Sequence, residues 1–494
     1  MKNSNLFRKT SNLSVFTLIV LIFGSCKDDL LNPAPNNVFT DVSVFKSAER
    51  VKQLVQGLYD NVKSGQYYGG RFMVYHDIRG EEFLNETTNT VTGFSTWNHT
   101  IISNTNEVTN LWSSIYYAIN SCNIVISGLE NKDNRAVLNN ETLVNNYIAE
   151  ARFIRALCYQ SLLSIYCRPF ADGNGSKLGV PLRLLAEIGI KNNDLARSTV
   201  AEVYTQILTD LNFAEQNLPA NYASAYLNTT RAHKNTAIAL KTRAYMAMGR
   251  YADVITEANK IVSTAAPFKA TTGVAHQFQA DVVAVFSTPY TTTESIFSMP
   301  MTELDLPGTQ NGLGSYYNPG PKGIGDFSLN LKGITGDSTN FKAGDNRRKF
   351  ITINASNKKP YLTKFPSGPQ HLDYAPVIRY AEVMLNLAEA VVRTEGVGST
   401  RGLAILNAVR NRSDATTTFK AADFADAPAF INTILRERRI ELLGEGFRSF
   451  DLMRLLQEIP GKSNVGAVKT TQAEYIWPIP QTELSVNKAC VQNQ

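Results

Sequence analysis

Cys26 carries the most specific chemistry in this chain. It follows Gly24-Ser25, which close a run from Val15 to Phe23, and that run is preceded by Lys2, Arg8 and Lys9. Nine residues fall well short of the roughly 20 needed to span a bilayer, and a basic start with small residues at the break fits a cleaved export peptide. The pattern predicts a lipoprotein signal over residues 1–25, with Cys26 as the mature N-terminus. Its thiol would carry lipid and its freed amine a further acyl chain, and more than one chain makes membrane contact a stable anchor. A plain secretory signal that contains a cysteine is the alternative.

Two groups of acidic residues invite a catalytic or metal reading. Glu437, Glu441 and Glu445 are spaced by four, which places them on one helix face. Carboxylates about 5 Å apart serve a retaining glycosidase, but such a pair faces across a substrate from separate elements. Here Arg436, Arg438, Arg439 and Arg448 are within reach, so ion pairing accounts for the glutamates without a substrate. His76, Asp77, Glu81 and Glu82 form the densest set of potential metal ligands. Their spacing fits neither a zinc helix nor a calcium loop, and a solvated turn partly paired with Arg79 is expected instead. Cys122, Cys158, Cys167 and Cys490 make no CxxC pair, and Cys122 and Cys158 fall on apolar helix faces, where a small buried hydrophobe is expected. An export route permits a disulfide among the four without demonstrating one. The five histidines are scattered singly, and the chain has no nucleophile elbow, P-loop or dinucleotide fingerprint. No catalytic residue, cofactor or metal site is expected.

Sugar binding asks for flat aromatic surface and neighbouring amides or carboxylates for hydroxyls. Trp112 shares a helical stripe with Ile115, Ile119 and Ile126, and Trp477 sits in the apolar Ile476-Trp477-Pro478, so both are expected in the core. Trp97 lies in the polar stretch Ser95-Thr96-Trp97-Asn98-His99 and is a candidate to stack on a ligand. Tyr316, Tyr317 and Asn318, and more weakly Tyr67 and Tyr68 among the glycines at 65, 69 and 70, are further candidates. Packing on the scaffold is the competing role for each tyrosine.

The elements that must position these residues are helical. Over 148–166 Ile154, Leu157, Cys158, Ser161, Leu162 and Ile165 recur on one face, and 376–393 repeats the pattern. Further helices are expected at about 43–63, 107–128, 200–217, 235–249, 251–263, 401–412 and 428–456. Residues 237–262 resemble a tetratricopeptide repeat unit, with Ala244, Gly249, Tyr251 and Ala258 allowing two short helices to approach closely. One such unit cannot bury its own face, so neighbouring pairs should stack on it. The texture changes across 266–375: nine of the nineteen residues from Pro307 to Gly325 are Gly or Pro, and strand-like pieces appear at Ser295–Met299 and Phe350–Ile353. A loop-rich block on a rigid scaffold is where binding chemistry usually sits. The fold class is thus mainly α, a tetratricopeptide-like scaffold of helical pairs with an irregular insert. Cleavage after residue 25 removes three basic and no acidic residues, leaving 46 against 43, a net charge of +3. With both signs interleaved, this speaks against nucleic acid as a partner.

Ordered motifs then point to a family. They include Ala149-Glu150-Ala151-Arg152-Phe153-Ile154-Arg155, Gly179-Val180-Pro181-Leu182, Arg197-Ser198-Thr199 with Glu202-Val203-Tyr204, and Ile378-Arg379-Tyr380-Ala381-Glu382. Glu437-Arg438-Arg439-Ile440-Glu441-Leu442, Glu445-Gly446-Phe447-Arg448 and Pro478-Ile479-Pro480 complete the series. Together they resemble the SusD/RagB outer-membrane lipoproteins of Bacteroidetes over nearly the whole mature length. The resemblance implies a non-enzymatic, cell-surface protein that binds a nutrient glycan and delivers it to a SusC-like TonB-dependent transporter. It implies a tether at 26–42, helical portions at 43–265 and 376–494 packed as one unit, and a ligand-binding region at 266–375. It also places Trp97 and Asn98 on one wall of the site, with Tyr316, Tyr317 and Asn318 opposite and Tyr68 nearby. Peptide capture by the same fold, a glycoside hydrolase and a pure interaction scaffold are the alternatives.

Overall fold

The computed structural model describes residues 44–189 and 193–493, so Cys26 and the tether lie outside the described residues. Local chemistry starts the main helices. Ser47 accepts from Arg50 N ahead of α1 (Ala48–Lys63), and Asn140 accepts from Leu143 N ahead of the 26-residue helix at Glu141–Tyr166. Thr199 and Glu202 form a reciprocal capping box at Val200–Asn217. In chain order α1 is followed by α2 (Arg71–Arg79), α3 (Asn106–Glu130), α4 (Glu141–Tyr166), α5 (Val200–Asn217), α6 (Lys234–Ala247) and α7 (Tyr251–Ala258). After the insert come α8 (Tyr380–Glu395), α9 (Thr400–Ser413), α10 (Ala427–Glu441) and α11 (Arg448–Arg454).

These helices pack in sequence: α3 on α4, α4 on α5, α5 on α6, α6 on α7. Helix α7 then packs on α8, so the helical array continues across the insert as if the loops between were absent. That is the stacking a repeat unit requires. Gly249, at φ +67°, makes the α6–α7 turn, and Tyr245, Val254 and Ala390 are buried together where α6, α7 and α8 meet. The one-sided pattern in α4 understates its position: from Tyr147 to Leu163 nearly every residue is buried, Glu150 and Arg155 included, because neighbours cover it all round. Among the described residues no helix is long and apolar enough to cross a membrane.

Two helix boundaries differ from the expected ones. Residues 375–379 form a strand, and the helix begins only at Tyr380. The span expected at 428–456 breaks after Glu441, because Gly444 and Gly446 both adopt φ +81°. A Cβ at Gly446 would stand 2.8 Å from Met73 Cα, so this turn is reserved for glycine by conformation and by space. Glu445 therefore lies in the turn, off the helix face that carries Glu437 and Glu441.

The insert contributes to three antiparallel pairs of short strands: β3 (Phe327–Leu329) pairs with β1 (Phe83–Asn85) of the N-terminal portion, β2 (Ser295–Met299) with the closing strand β6 (Ala375–Arg379), and β4 (Ile351–Ile353) with β5 (Pro360–Leu362). Two-stranded pairs are marginal alone, and here a buried ionic network fastens them to the scaffold. Arg379 pairs with Glu294, Glu441 and Glu445; Arg347 with Asp345, Glu437 and Glu441; Arg412 with Glu294 and Glu441; Arg410 with Asp345 and Glu437; and Lys364 with Glu445. That makes five cations and five anions. Glu294, Asp345, Arg347, Lys364 and Arg379 come from the insert and its closing strand, and the other five from α9, α10 and the following turn. Burial alone would push the Glu441 carboxyl up, but Arg412, Arg379 and Arg347 outweigh it and hold it well below the usual carboxylate range. Replacing one member strands its partners: we expect Arg379→Met to cost about 3–5 kcal/mol. Urea unfolding measures this, and a loss below about 1 kcal/mol, the level of an exposed pair, would contradict the clamp.

Candidate functional site

Trp112 and Trp477 are buried as expected. Trp97, proposed to stack on ligand, is buried too. It ends a one-turn helix at Phe94–Trp97, its Nε1 donates to Phe83 O at 2.9 Å, and Lys462 Nζ lies 5.6 Å from its ring. Tyr316 is 1 % exposed and Tyr317 is fully buried. Tyr317 stacks on Phe83 with centroids 4.9 Å apart, and its hydroxyl donates to Asp77 Oδ2. Tyr67 and Tyr68 are buried as well, Tyr68 in contact with Phe72 and Tyr67. The ladder continues from Tyr317 through Phe365 and Phe286 to Phe350. These aromatics are corrected from ligand platform to core: Tyr316 and Tyr317 fill the insert, whose short strands and loops need apolar packing, while Trp97, Tyr67 and Tyr68 pack in the N-terminal portion. Asn98 is half-buried at the C-cap of the same short helix.

Asn318 stands differently. It lines a cleft of about 460 Å³ formed within the insert by Val283, Phe286, Ser287, Pro319 to Lys322, Lys349, Phe350, Thr352, Thr363, Lys364 and Pro366. Its Nδ2 donates to Phe365 O, whereas its Oδ1, sealed from solvent, has no hydrogen-bond partner. Thr352 and Thr363 hold their hydroxyls 3.2 Å apart at the surface. The cleft thus combines apolar walls and surface hydroxyls, with the Asn318 amide sealed beneath, within the size range of small-ligand sites. No Asp, Glu, His or Cys is among its lining residues.

A stacked tyrosine pair, at residues not singled out from the sequence, is hydrogen-bonded to Ser287 of the cleft wall without itself lining the cleft. Tyr290 and Tyr374, both half-buried, stack with centroids 5.0 Å apart and an interplanar angle of 25°. Burial, then the neighbouring phenols of Tyr226 and Tyr290, raise the Tyr374 hydroxyl above its ordinary value. Tyr226 is 46 % exposed, so the three rings form a surface group. Tyr290 N donates to Ser287 O, and Asp373 accepts from Ser367 N and the Tyr290 hydroxyl, tying the platform to the cleft edge. Tyr290 sits at φ +62° and His371 at φ +56°, strained values that cluster where loops are held for function. No periodicity marks these tyrosines; the signal available was tyrosine within turn-rich sequence.

The acidic groups are occupied. Glu437, Glu441 and Glu445 are ion-paired as expected, although their principal partners are Arg347, Arg379, Arg410, Arg412 and Lys364 rather than the arginines of their own segment. The expected solvated turn at His76 to Glu82 is buried instead: His76, Asp77 and Glu82 are each 2 % exposed or less. Glu81 and Glu82 pair with Arg439 and Arg448, while Arg79 donates to Tyr475 O. Burial raises Asp77 and Glu107 to about 7, a value suited to acid–base work, but both are closed off and neither borders the cleft. Among the described residues no group of three or more His, Cys, Asp or Glu side chains could hold a metal, and the four described cysteines are free and buried. A second trough of about 400 Å³ runs past Arg79, Thr96, His99, Ile102 and Trp477, so the 95–99 loop does reach a surface hollow, through the neighbours of Trp97.

A family model described as "Starch-binding associating with outer membrane" matches residues 29–246, and one described as "SusD family" matches 336–494. A crystal structure of a SusD superfamily protein from Bacteroides fragilis is 32 % identical with a TM-score of 0.81, covering 90 % of this chain and 99 % of that one. A SusD-like protein of Formosa agariphila is 23 % identical, with 98 % of each chain covered. A structure described as a laminarin binding SusD-like protein has a TM-score of 0.71 at 21 % identity, covering 91 % of this chain and 99 % of that one.

Two outcomes follow from the burial. Trp97→Ala should cost about 3–5 kcal/mol of stability, read by urea unfolding, while any ligand affinity of the folded fraction is unchanged; the reverse pattern would return Trp97 to the site. His76, His233 and His276 are held neutral by burial, at about 3, 3 and 4. Because these values lie below the unfolded value of about 6.5, the stability they contribute is complete above that pH and is lost as pH falls toward the folded values. NMR of the imidazole Cε1–H signals should show none of the three titrating between about pH 8 and pH 5, and a midpoint near 6.5 for any of them would contradict this.

Proposed function

The chain belongs to the SusD/RagB family, and from that premise we propose that the insert cleft and its tyrosine platform bind a nutrient glycan without cleaving it. The protein, anchored through Cys26 on the outer leaflet of the outer membrane, then hands the glycan to a SusC-like TonB-dependent transporter. The observation that carries the reading is the chemistry of the cleft: surface hydroxyls within it and a stacked tyrosine pair on an adjoining segment, with no carboxylate among its lining residues. Stacked tyrosines offer a flat face to the C–H side of a pyranose, and the Thr352 and Thr363 hydroxyls suit sugar hydroxyls. A glycosidase needs two carboxyls across the scissile bond, and the glutamates that suggested one are consumed in ion pairs. The relative described as laminarin binding supports a saccharide over a peptide.

Isothermal titration against a panel of oligosaccharides tests this. Binding should weaken about tenfold in Tyr374→Ala and about fivefold in Thr352→Ala, the loss of one stacked ring and one hydrogen bond, with unfolding midpoints unchanged. Saturable peptide binding together with silence across glycans would overturn the saccharide assignment. Release of reducing sugar by the purified protein would overturn the non-enzymatic one. Cys26→Ala should move the protein from the membrane fraction to the soluble fraction.

A further inference from the structure

We infer that the ligand of this cleft is an anionic glycan, one carrying carboxylate or sulfate groups. The inference rests on the glycan-binding reading above and narrows it. Three lysines line the cleft, Lys322, Lys349 and Lys364, and no acidic residue lines it. Their charges are not equivalent. Lys364 is buried and spent, with Nζ donating to Glu445 Oε1 at 2.6 Å and to the carbonyls of Glu441 and Leu443. Lys322 and Lys349 are exposed at the mouth and make no ion pair among the described residues.

The surroundings do not cancel these two charges. The network behind the cleft balances five cations with five anions, so it adds no net field of either sign. Asp373, within electrostatic reach of Lys322, is pushed up to about 6 by burial and so stays mostly ionised at neutral pH, but it is buried outside the cleft lining and already accepts from Ser367 N and the Tyr290 hydroxyl. On the flank of Lys349, Arg347 is neutralised by Asp345, Glu437 and Glu441, and Arg348 donates to the carbonyls of Thr335 and Phe341. A mouth with two unpaired ammonium groups and no carboxylate is complementary to an anion beside a sugar ring. A neutral glycan would leave both lysines without a counter-charge.

Titrations with polygalacturonate oligomers (carboxylate), sulfated carrageenan oligomers (sulfate) and laminarin oligomers (neutral) at low and raised salt test this. Wild-type protein should bind at least one anionic series tenfold or more tighter than laminarin oligomers, with the preference shrinking as salt rises. The series that binds identifies carboxylate or sulfate. Lys322→Gln/Lys349→Gln should abolish the preference, Lys322→Arg/Lys349→Arg should keep it, and Lys46→Gln/Lys132→Gln, which removes two charges from the helical portion, should leave it intact. Equal or tighter binding of laminarin oligomers, or an anionic preference that survives the Gln pair, overturns the anion inference and leaves the glycan reading standing. Silence across all three series with saturable peptide binding overturns both.

Discussion

The buried network of five cations and five anions determines how the insert is held. The insert is poor in regular structure, and its strand pairs are too short to hold together unaided. Its side of the network carries one more cation than anion, and the α9, α10 and turn side carries the reverse. Neither half could be buried alone without uncompensated charge, because desolvating an unpaired ion costs several kcal/mol. Docking the insert is therefore coupled to neutralising it. Such a network is weak evidence of extra stability, since well-packed apolar residues could do as well, but its directional bonds fix one register between insert and helices.

That division of labour explains the chemistry left at the cleft. Two acidic groups of the insert, Glu294 and Asp345, are drawn inward to the network, and Tyr317, Phe365, Phe286 and Phe350 of the insert join Phe83 of the N-terminal portion in a buried ladder. What remains outside is small, polar or cationic: threonines, prolines, two lysines and a half-buried tyrosine pair. The cleft lining carries no acid, which agrees with the proposed non-catalytic binding of a saccharide. Helix α7 meeting α8 across the excursion keeps the scaffold continuous beneath it, so loops can vary in sequence without disturbing the stack.

Helical periodicity made the scaffold legible, and the edges of α3, α5, α6 and α9 fall within two residues of the expected spans. Where the reading missed, backbone or burial decided. Gly444 and Gly446 ended a helix whose apolar spacing continued, and the one-sided pattern of α4 hid a helix covered on every side. For the site, Asn318 of the expected residues lines the insert cleft, whereas the aromatics were chosen by polarity of flanking sequence and lie buried. Trp97, Tyr316 and Tyr317 sit in polar or glycine-rich stretches because the strands and turns there are short, and such elements need large rings to make any core at all. Tyr290 and Tyr374, separated by 83 residues in sequence, meet only through folding.

Hydrogen–deuterium exchange with and without a saturating oligosaccharide tests most directly whether the insert cleft is where ligand is held. Binding there should slow exchange in peptides spanning 283–290, 318–324, 349–352 and 363–374, with α3 to α5 unchanged. Protection confined to the other trough, at 96–103 and 473–478, or no protection at all at saturation, would contradict it.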